Sequence, residues 1–176
     1  QLNQTIRKIG LCPNYTSSPI STNVTCNGLG NGQASVVVNG GMNSFTYDWT
    51  PGTPVGDGSN AVSGLAPATY ICNVTDANGC LTTQSFTITQ PTALSASRTF
   101  TNVTCNGGSN GAINVTVVGG TAPYTFLWSD GAITEDRTGL TAGSYNCLIT
   151  DFKACTFSIP ATLAQPATAV TGTTNI

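Results

Sequence analysis

Seven cysteines and no histidine bound the chemistry open to this chain. The cysteines are Cys12, Cys26, Cys72, Cys80, Cys105, Cys147 and Cys155. Without histidine a serine or cysteine nucleophile has no imidazole base, and a lysine base is limited to Lys8 and Lys153. Of the acids Asp48, Asp57, Asp76, Asp130, Glu135, Asp136 and Asp151, only Glu135 and Asp136 are adjacent. Neighbours on a strand point to opposite faces, so adjacency does not make a catalytic pair. Zinc is disfavoured because there is neither histidine nor a Cys-x-x-Cys pair. Calcium wants more acidic oxygens than any one loop here offers. No enzyme and no cofactor is read from these residues. Cysteine in a small Thr- and Asn-rich chain points instead to disulfides and an oxidising compartment. An odd count leaves one thiol free, or paired outside the chain.

The elements that position these cysteines are written twice. Asn23-Val24-Thr25-Cys26-Asn27-Gly28 returns as Asn102-Val103-Thr104-Cys105-Asn106-Gly107, and the match runs without a gap to Trp49 and Trp128. After a loop that is longer in the first copy, register resumes at Gly64-Leu65 and Gly139-Leu140. It continues through Tyr70/Tyr145, Cys72/Cys147, Asp76/Asp151 and Cys80/Cys155 to Gln90-Pro91 and Gln165-Pro166. A period this long is a complete small domain rather than a solenoid turn. The expected organisation is an N-terminal segment 1–13, a first repeat 14–91 and a second repeat 92–166. Gln165 to Val170 echo Gln90 to Leu94, so residues 167–176 read as the first strand of a further repeat or a strand donated to a neighbour.

Composition excludes several partners. Only 7% of residues are charged, against roughly 25% in ordinary soluble proteins. With five basic residues and a net charge of −2, there is no basic stripe for nucleic acid. No apolar run is long enough to span a bilayer, so membrane insertion is not expected.

Alternation of apolar and polar residues predicts strands over 34–38 and 113–117, with Ala34, Val36 and Val38, or Ile113, Val115 and Val117, on one face. Gly-Gly turns lead into aromatic strands ending at Trp49 and Trp128. Later strands carry Tyr70, Cys72 and Val74, or Tyr145, Cys147 and Ile149, on one face. Asp76 and Asp151 are expected to set the final hairpin turns by bonding their own backbone. The first strand of the second repeat is expected over 93–97. No segment has helical spacing, so the class is all-β. Short strands that are apolar on one face need a second sheet to cover it. The order of parts resembles an immunoglobulin-like sandwich, giving two tandem sandwiches. Trp49, Trp128, Tyr70 and Tyr145 form the core signature, and the Leu65/Tyr70 and Leu140/Tyr145 spacing suits a tyrosine corner. Neither second strand holds cysteine, so Cys72 and Cys147 read as buried thiols. The Asn-Gly pairs around Cys26 and Cys105 read as positive-φ positions.

Val-Thr-Cys-Asn-Gly, the following Asn-Gly, the Gly-Gly turn before an aromatic strand ending in Trp, and Thr75-Asp76-Ala77-Asn78-Gly79-Cys80 together resemble the SprB-type repeat. That family belongs to cell-surface adhesins and gliding-motility proteins of Bacteroidota. The likeness covers roughly residues 20–91 and 99–166. The second copy departs at Phe152-Lys153-Ala154, where the Asn-Gly turn is lost and a different bend is expected. The resemblance implies secretion, a cell-surface location and tandem arrays.

Cys12, Cys26, Cys80, Cys105 and Cys155 are the disulfide candidates. In such a sandwich Cys26 and Cys105 sit at one pole and Cys80 and Cys155 at the other, roughly 25 Å away along a strand. A disulfide needs Cα atoms within about 7 Å. One pairing joins Cys26 to Cys155 between repeats and Cys12 to Cys80, leaving Cys105 over. The other displaces the first strand and pairs Cys26 with Cys80 and Cys105 with Cys155. The functional expectation is a non-enzymatic structural or adhesive module, its partners other copies or adjacent repeats, with surface polysaccharide or a substratum ligand also open. The alternative is a carbohydrate-binding module of a secreted protein, using Phe100 and Phe152 as exposed stacking rings.

Overall fold

The computed structural model describes residues 15–41 and 44–167. Cys12, the segment 1–13 and all of the tail beyond Ala167 lie outside the described residues. The chain divides into two compact units, Gln1–Gln90 and Pro91–Ile176. Among the described residues every regular element in either unit is a strand.

The first unit holds β1 (Thr16–Thr22), β2 (Gly32–Asn39), β3 (Thr46–Thr50), β4 (Ala61–Leu65), β5 (Ala68–Thr75) and β6 (Leu81–Ile88). They form two antiparallel sheets, β1-β2-β4 and β3-β5-β6. The second unit repeats the plan with β7 (Ser95–Thr101), β8 (Gly111–Val118), β9 (Thr125–Trp128), β10 (Arg137–Leu140), β11 (Gly143–Thr150) and β12 (Thr156–Leu163). Its sheets are β7-β8-β10 and β9-β11-β12. This distribution of strands between two sheets is that of a minimal immunoglobulin-like sandwich, with one sheet built from the first, second and fourth strands. The opening strand of the second unit starts at Ser95, later than the expected 93–97. Leu94 and Ala96 nevertheless pack against the core.

Each unit encloses its own core. In the first, Val36, Trp49, Leu65, Cys72, Val74, Phe86 and Ile88 are buried together. In the second, Ile113, Trp128, Leu140, Cys147, Ile149, Ile159 and Leu163 are buried together. Period-two patterning produces this result. Gln33, Val37 and Thr87 face out while their neighbours face in. Trp49 pairs in register with Cys72, and Trp128 with Cys147. Each indole N–H finds a loop carbonyl, Trp49 Nε1 donating to Ser59 O (2.9 Å) and Trp128 Nε1 to Thr134 O (2.7 Å). The same anchorage is thus reached across loops of different length. Tyr70 Oη donates to Ala66 O (3.1 Å) and Tyr145 Oη to Thr141 O (3.0 Å), closing a tyrosine corner in each copy.

The copies differ where the first and last strands meet. In the first unit Gln84 Nε2 donates to Ser17 O (3.1 Å) and Ser17 Oγ (2.6 Å). The matching residues in the second unit are Ile159, which is buried, and Ala96, which packs on the core. Tyr15 Oη similarly donates to Cys80 O (2.7 Å), while its counterpart Leu94 joins the apolar core. One seam is therefore closed by hydrogen bonds and the other by apolar contact.

Candidate functional site: the loop poles and their cysteines

The residues that repeat most faithfully lie in the loop between the first two strands of each unit. Thr25 N–H donates to Asn31 Oδ1 (3.0 Å), and Asn31 Nδ2 returns a bond to Thr25 Oγ1 (2.8 Å). Thr104 and Asn110 make the same two bonds, at 3.1 and 2.8 Å. Asn23 Oδ1 accepts from Thr89 N–H (2.9 Å), and Asn102 Oδ1 from Ala164 N–H (2.9 Å). Gly28 N–H donates to Gln90 Oε1 and Gly107 N–H to Gln165 Oε1, both at 2.9 Å. Gly28 and Gly107 have φ of 80° and 73°, a conformation glycine adopts without steric cost.

The second glycine of the motif is required for another reason, which corrects the positive-φ expectation. Neither Gly32 nor Gly111 has positive φ. A Cβ on Gly32 would lie 2.7 Å from Ile88 Cγ2 and 2.9 Å from Leu65 O; on Gly111, 2.7 Å from Leu163 Cδ1 and 2.9 Å from Leu140 O. Close backbone approach selects glycine here.

At the other end of the last strand stands the hairpin turn. Asp76 and Asp151 are buried. Asp76 Oδ1 accepts from Asn78 and Cys80 N–H, both at 2.9 Å. Asp151 Oδ1 accepts from Lys153 (2.9 Å) and Cys155 (2.8 Å), and its Oδ2 from Thr121 N–H (2.8 Å). Among the described residues Asp76 Oδ2 has no partner. The position matching Thr121 is Met42, which lies outside them.

Loss of the Asn-Gly turn leaves the bend unchanged, contrary to expectation. Gly79 N–H donates to Asp76 O and Ala154 N–H to Asp151 O, both at 3.0 Å. Ala154 adopts φ 64° where Gly79 has 80°. The aspartate, common to both copies, imposes the turn, and alanine takes the strained conformation. We expect Ala154→Gly to raise stability by about 1 kcal/mol, the cost of a left-handed alanine. An unchanged urea midpoint would remove that account.

These poles are opposite ends of one unit. Cys26 lies in the loop tied to Thr89 and Gln90, and Cys80 immediately precedes β6. Eight residues of strand lie between, roughly 25 Å at ~3.3 Å each. That distance excludes Cys26–Cys80. Cys26, Cys80 and Cys155 are disulfide-bonded. Cys105, also a disulfide candidate, is instead a free and exposed thiol, which excludes Cys105–Cys155. The in-repeat alternative therefore fails at both pairs.

Cys72 and Cys147 are free and fully buried in the cores. Burial pushes the Cys72 thiol up to about 11, with the charge of Asp48 adding to it. Burial likewise raises Cys147. Both are protonated at neutral pH, which makes them poor nucleophiles.

The remaining candidates are dispersed. Asp136 Oδ1 accepts from Val115 N–H (2.9 Å), and Asp57 Oδ1 from Trp49 N–H (3.1 Å). Arg137 grips Asp130 through two 2.7 Å bonds and lies 5.5 Å from the Trp128 ring centroid. The guanidinium holds the Asp130 carboxyl down at about 2. No three Asp, Glu, Cys or His side chains among the described residues gather to hold a metal. A depression of about 200 Å³ on the first unit is lined by Ile20, Gln33, Ser35 and Ala61 among others, none of them titratable. Phe100 and Phe152 are exposed, at 49% and 66%. Phe100 lies on β7 and Phe152 at the hairpin tip, where Lys153 Nζ sits 5.7 Å from its ring centroid.

The clamped loop, its neighbouring strands and the stretch just past the aromatic strand fall in the two segments, 18–54 and 97–133, that match the family model described as SprB repeat. One stretch in each half of the chain matches the SprB repeat model. The model ends beyond the tryptophan in each copy, so the hairpin and its cysteine lie outside the matched stretch. No curated protein matches the chain. Similar solved structures include a Dscam structure, with 15% identity and a TM-score of 0.35, covering 86% of this chain and 47% of that one. An intimin C-terminal fragment in complex with the intimin-binding domain of its translocated receptor shows 12% identity and a TM-score of 0.37, covering 85% and 64%. DIP-gamma IG1+IG2 shows 13% identity and a TM-score of 0.40, covering 87% and 98%. The chain thus spans less than two-thirds of the first two. In this chain the motif residues are spent on backbone hydrogen bonds and close packing, and sequence reading missed that role for Asn23, Asn31 and Gln90. Their signal was present: each recurs in copy two, at Asn102, Asn110 and Gln165.

Proposed function

We propose that this chain is an adhesin-like repeat module of the cell surface, working as a passive, covalently stapled spacer. One observation carries the reading: the duplicated motif is consumed by internal hydrogen bonds, and three cysteines at the loop ends are disulfide-bonded. A site for catalysis would need convergent polar groups, and the described acids bond turns and loops instead.

The staple proposed is Cys26 with Cys155, and Cys12 with Cys80. Supporting it are the bonded state of Cys26, Cys80 and Cys155, the free state of Cys105, and the span of β6. A tensile load would then pass through the sulfur bridge and bypass both cores. Single-molecule pulling tests this directly. The oxidised chain should release none of the length between Cys26 and Cys155, and the reduced chain should show two unfolding events. Two events in the oxidised chain would refute the staple.

A carbohydrate-binding reading is favoured only by the exposure of Phe152. Weak glycan binding abolished by Phe152→Ala would support it, and a glycan array without hits would leave the spacer reading in place.

A further inference from the structure

The pair Asn-Gly occurs six times in this chain, at 27–28, 31–32, 39–40, 78–79, 106–107 and 110–111. It is the dipeptide most open to self-deamidation, because glycine has no side chain to keep its backbone nitrogen from the asparagine amide. Two groups must be free for the reaction. The glycine N–H supplies the nucleophile, and the asparagine side chain must turn toward it. In five pairs the fold holds one or both. Gly28 N–H donates to Gln90 Oε1 and Gly107 N–H to Gln165 Oε1, both at 2.9 Å, and Asn106 Nδ2 donates to Pro166 O (2.9 Å). The Asn31 amide bonds both Thr25 N–H and Thr25 Oγ1, and the Asn110 amide bonds Thr104 in the same way. Gly79 N–H donates to Asp76 O (3.0 Å). The exception is Asn39-Gly40. Asn39 ends β2 and both residues are exposed. Among the described residues neither the Asn39 side chain nor the Gly40 N–H makes a hydrogen bond.

We infer that Asn39 is a self-modification site, converted by the Gly40 nitrogen to an aspartyl or isoaspartyl linkage while the fold shields the other five pairs. The Gly40 nitrogen gives its proton to a solvent base and attacks Asn39 Cγ. A Cγ–N bond forms, the Cγ–Nδ2 bond breaks, and Nδ2 leaves as ammonia, closing a succinimide ring. Water then opens the ring at either carbonyl, so neither an oxidant nor an enzyme is required. Both products add a carboxylate to a chain of net charge −2. The isoaspartyl product also inserts a methylene into the backbone beside a tightly packed turn. A Cβ on Gly41 would already lie 3.1 Å from Phe45 Cζ and 3.3 Å from Tyr15 Cβ, and the Tyr15 and Phe45 ring centroids are 5.9 Å apart. Tyr15 Oη in turn donates to Val74 O (3.1 Å) and Cys80 O (2.7 Å). Lengthening the chain here therefore loosens the contacts that Tyr15 makes with the first unit. The second unit has Val118 at the matching position and escapes the reaction.

The test is the full oxidised chain, aged in mildly alkaline buffer, sampled over time and mapped by peptide mass spectrometry with isoaspartate-specific methylation. A second sample aged in urea gives the rate of each pair without the fold. In the native chain Asn39 should convert faster than any other pair by about fivefold or more, the factor that one net hydrogen bond contributes. In urea the six rates should draw together. Gln90→Ala, which frees the Gly28 N–H, should add Asn27 as a second site, and Asn39→Ser should remove the first. Thermal unfolding of the aged chain should show a lowered transition for the first unit alone. Native deamidation led by any other pair, six native rates as similar as those in urea, or no native conversion at Asn39 would overturn the inference. So would equal loss of stability in both units.

Discussion

Trp49→Ala should destabilise the first unit by about 3–5 kcal/mol, the usual cost of removing a large buried aromatic side chain. Trp49 is fully buried and stacks obliquely on Phe86, ring centroids 5.1 Å apart. Its loss also strands Ser59 O, the acceptor of the indole N–H. A domain of about 75 residues commands only about 4–11 kcal/mol in total, at 0.05–0.15 kcal/mol per residue. The substitution therefore removes a large share of the unit's stability. Because Trp128 belongs to a separate core, the second unit should keep its own transition. Calorimetry would show one endotherm shifted far down or lost, and the other in place. A single transition moving as a whole would mean the two cores do not fold independently.

Asp151→Ala ranks next, with an expected loss of about 2–4 kcal/mol. Its carboxylate accepts three backbone N–H groups, from Lys153, Cys155 and Thr121, while being almost fully buried. Leaving a buried donor unsatisfied costs about 1–3 kcal/mol, and water reaching a surface turn recovers part of that. Asp151→Asn separates charge from shape. An amide can keep the two bonds at Oδ1, but its NH₂ would face the Thr121 N–H, donor against donor. Denaturant titration should place Asn between wild type and Ala. Equal stability of all three proteins would show that the turn is held by its backbone bonds alone.

Several features were legible in the linear chain because they depend on local rules. Alternation at Ala34, Val36 and Val38 marks an inward face wherever the strand ends up. Duplication shows that the chain builds one small domain twice. The burial of Cys72 and Cys147 follows from their period-two spacing with Tyr70 and Val74, or Tyr145 and Ile149. The bend at Ala154 was misread, since losing Asn-Gly looks like losing the turn. It survives because Asp151 reaches two backbone amides in its own hairpin and a third on Thr121, in another loop. Gly32 was misread for the same kind of reason. The obstacle to a side chain there is Ile88, far away in sequence and adjacent in space.

Order along the chain sufficed to establish an all-β pair of sandwiches, the inward faces, and the likeness to SprB repeats. Those properties arise from hydrophobic periodicity and from motif spacing, and neither needs coordinates. Which cysteines are bridged, and why the Asn-Gly loops recur, emerged only once the strands were in place. The state of a thiol and the worth of a hydrogen bond depend on distances between residues remote in sequence: Gly28 to Gln90, Asn23 to Thr89, Thr121 to Asp151. Such distances follow from packing two sheets face to face, which no local pattern encodes.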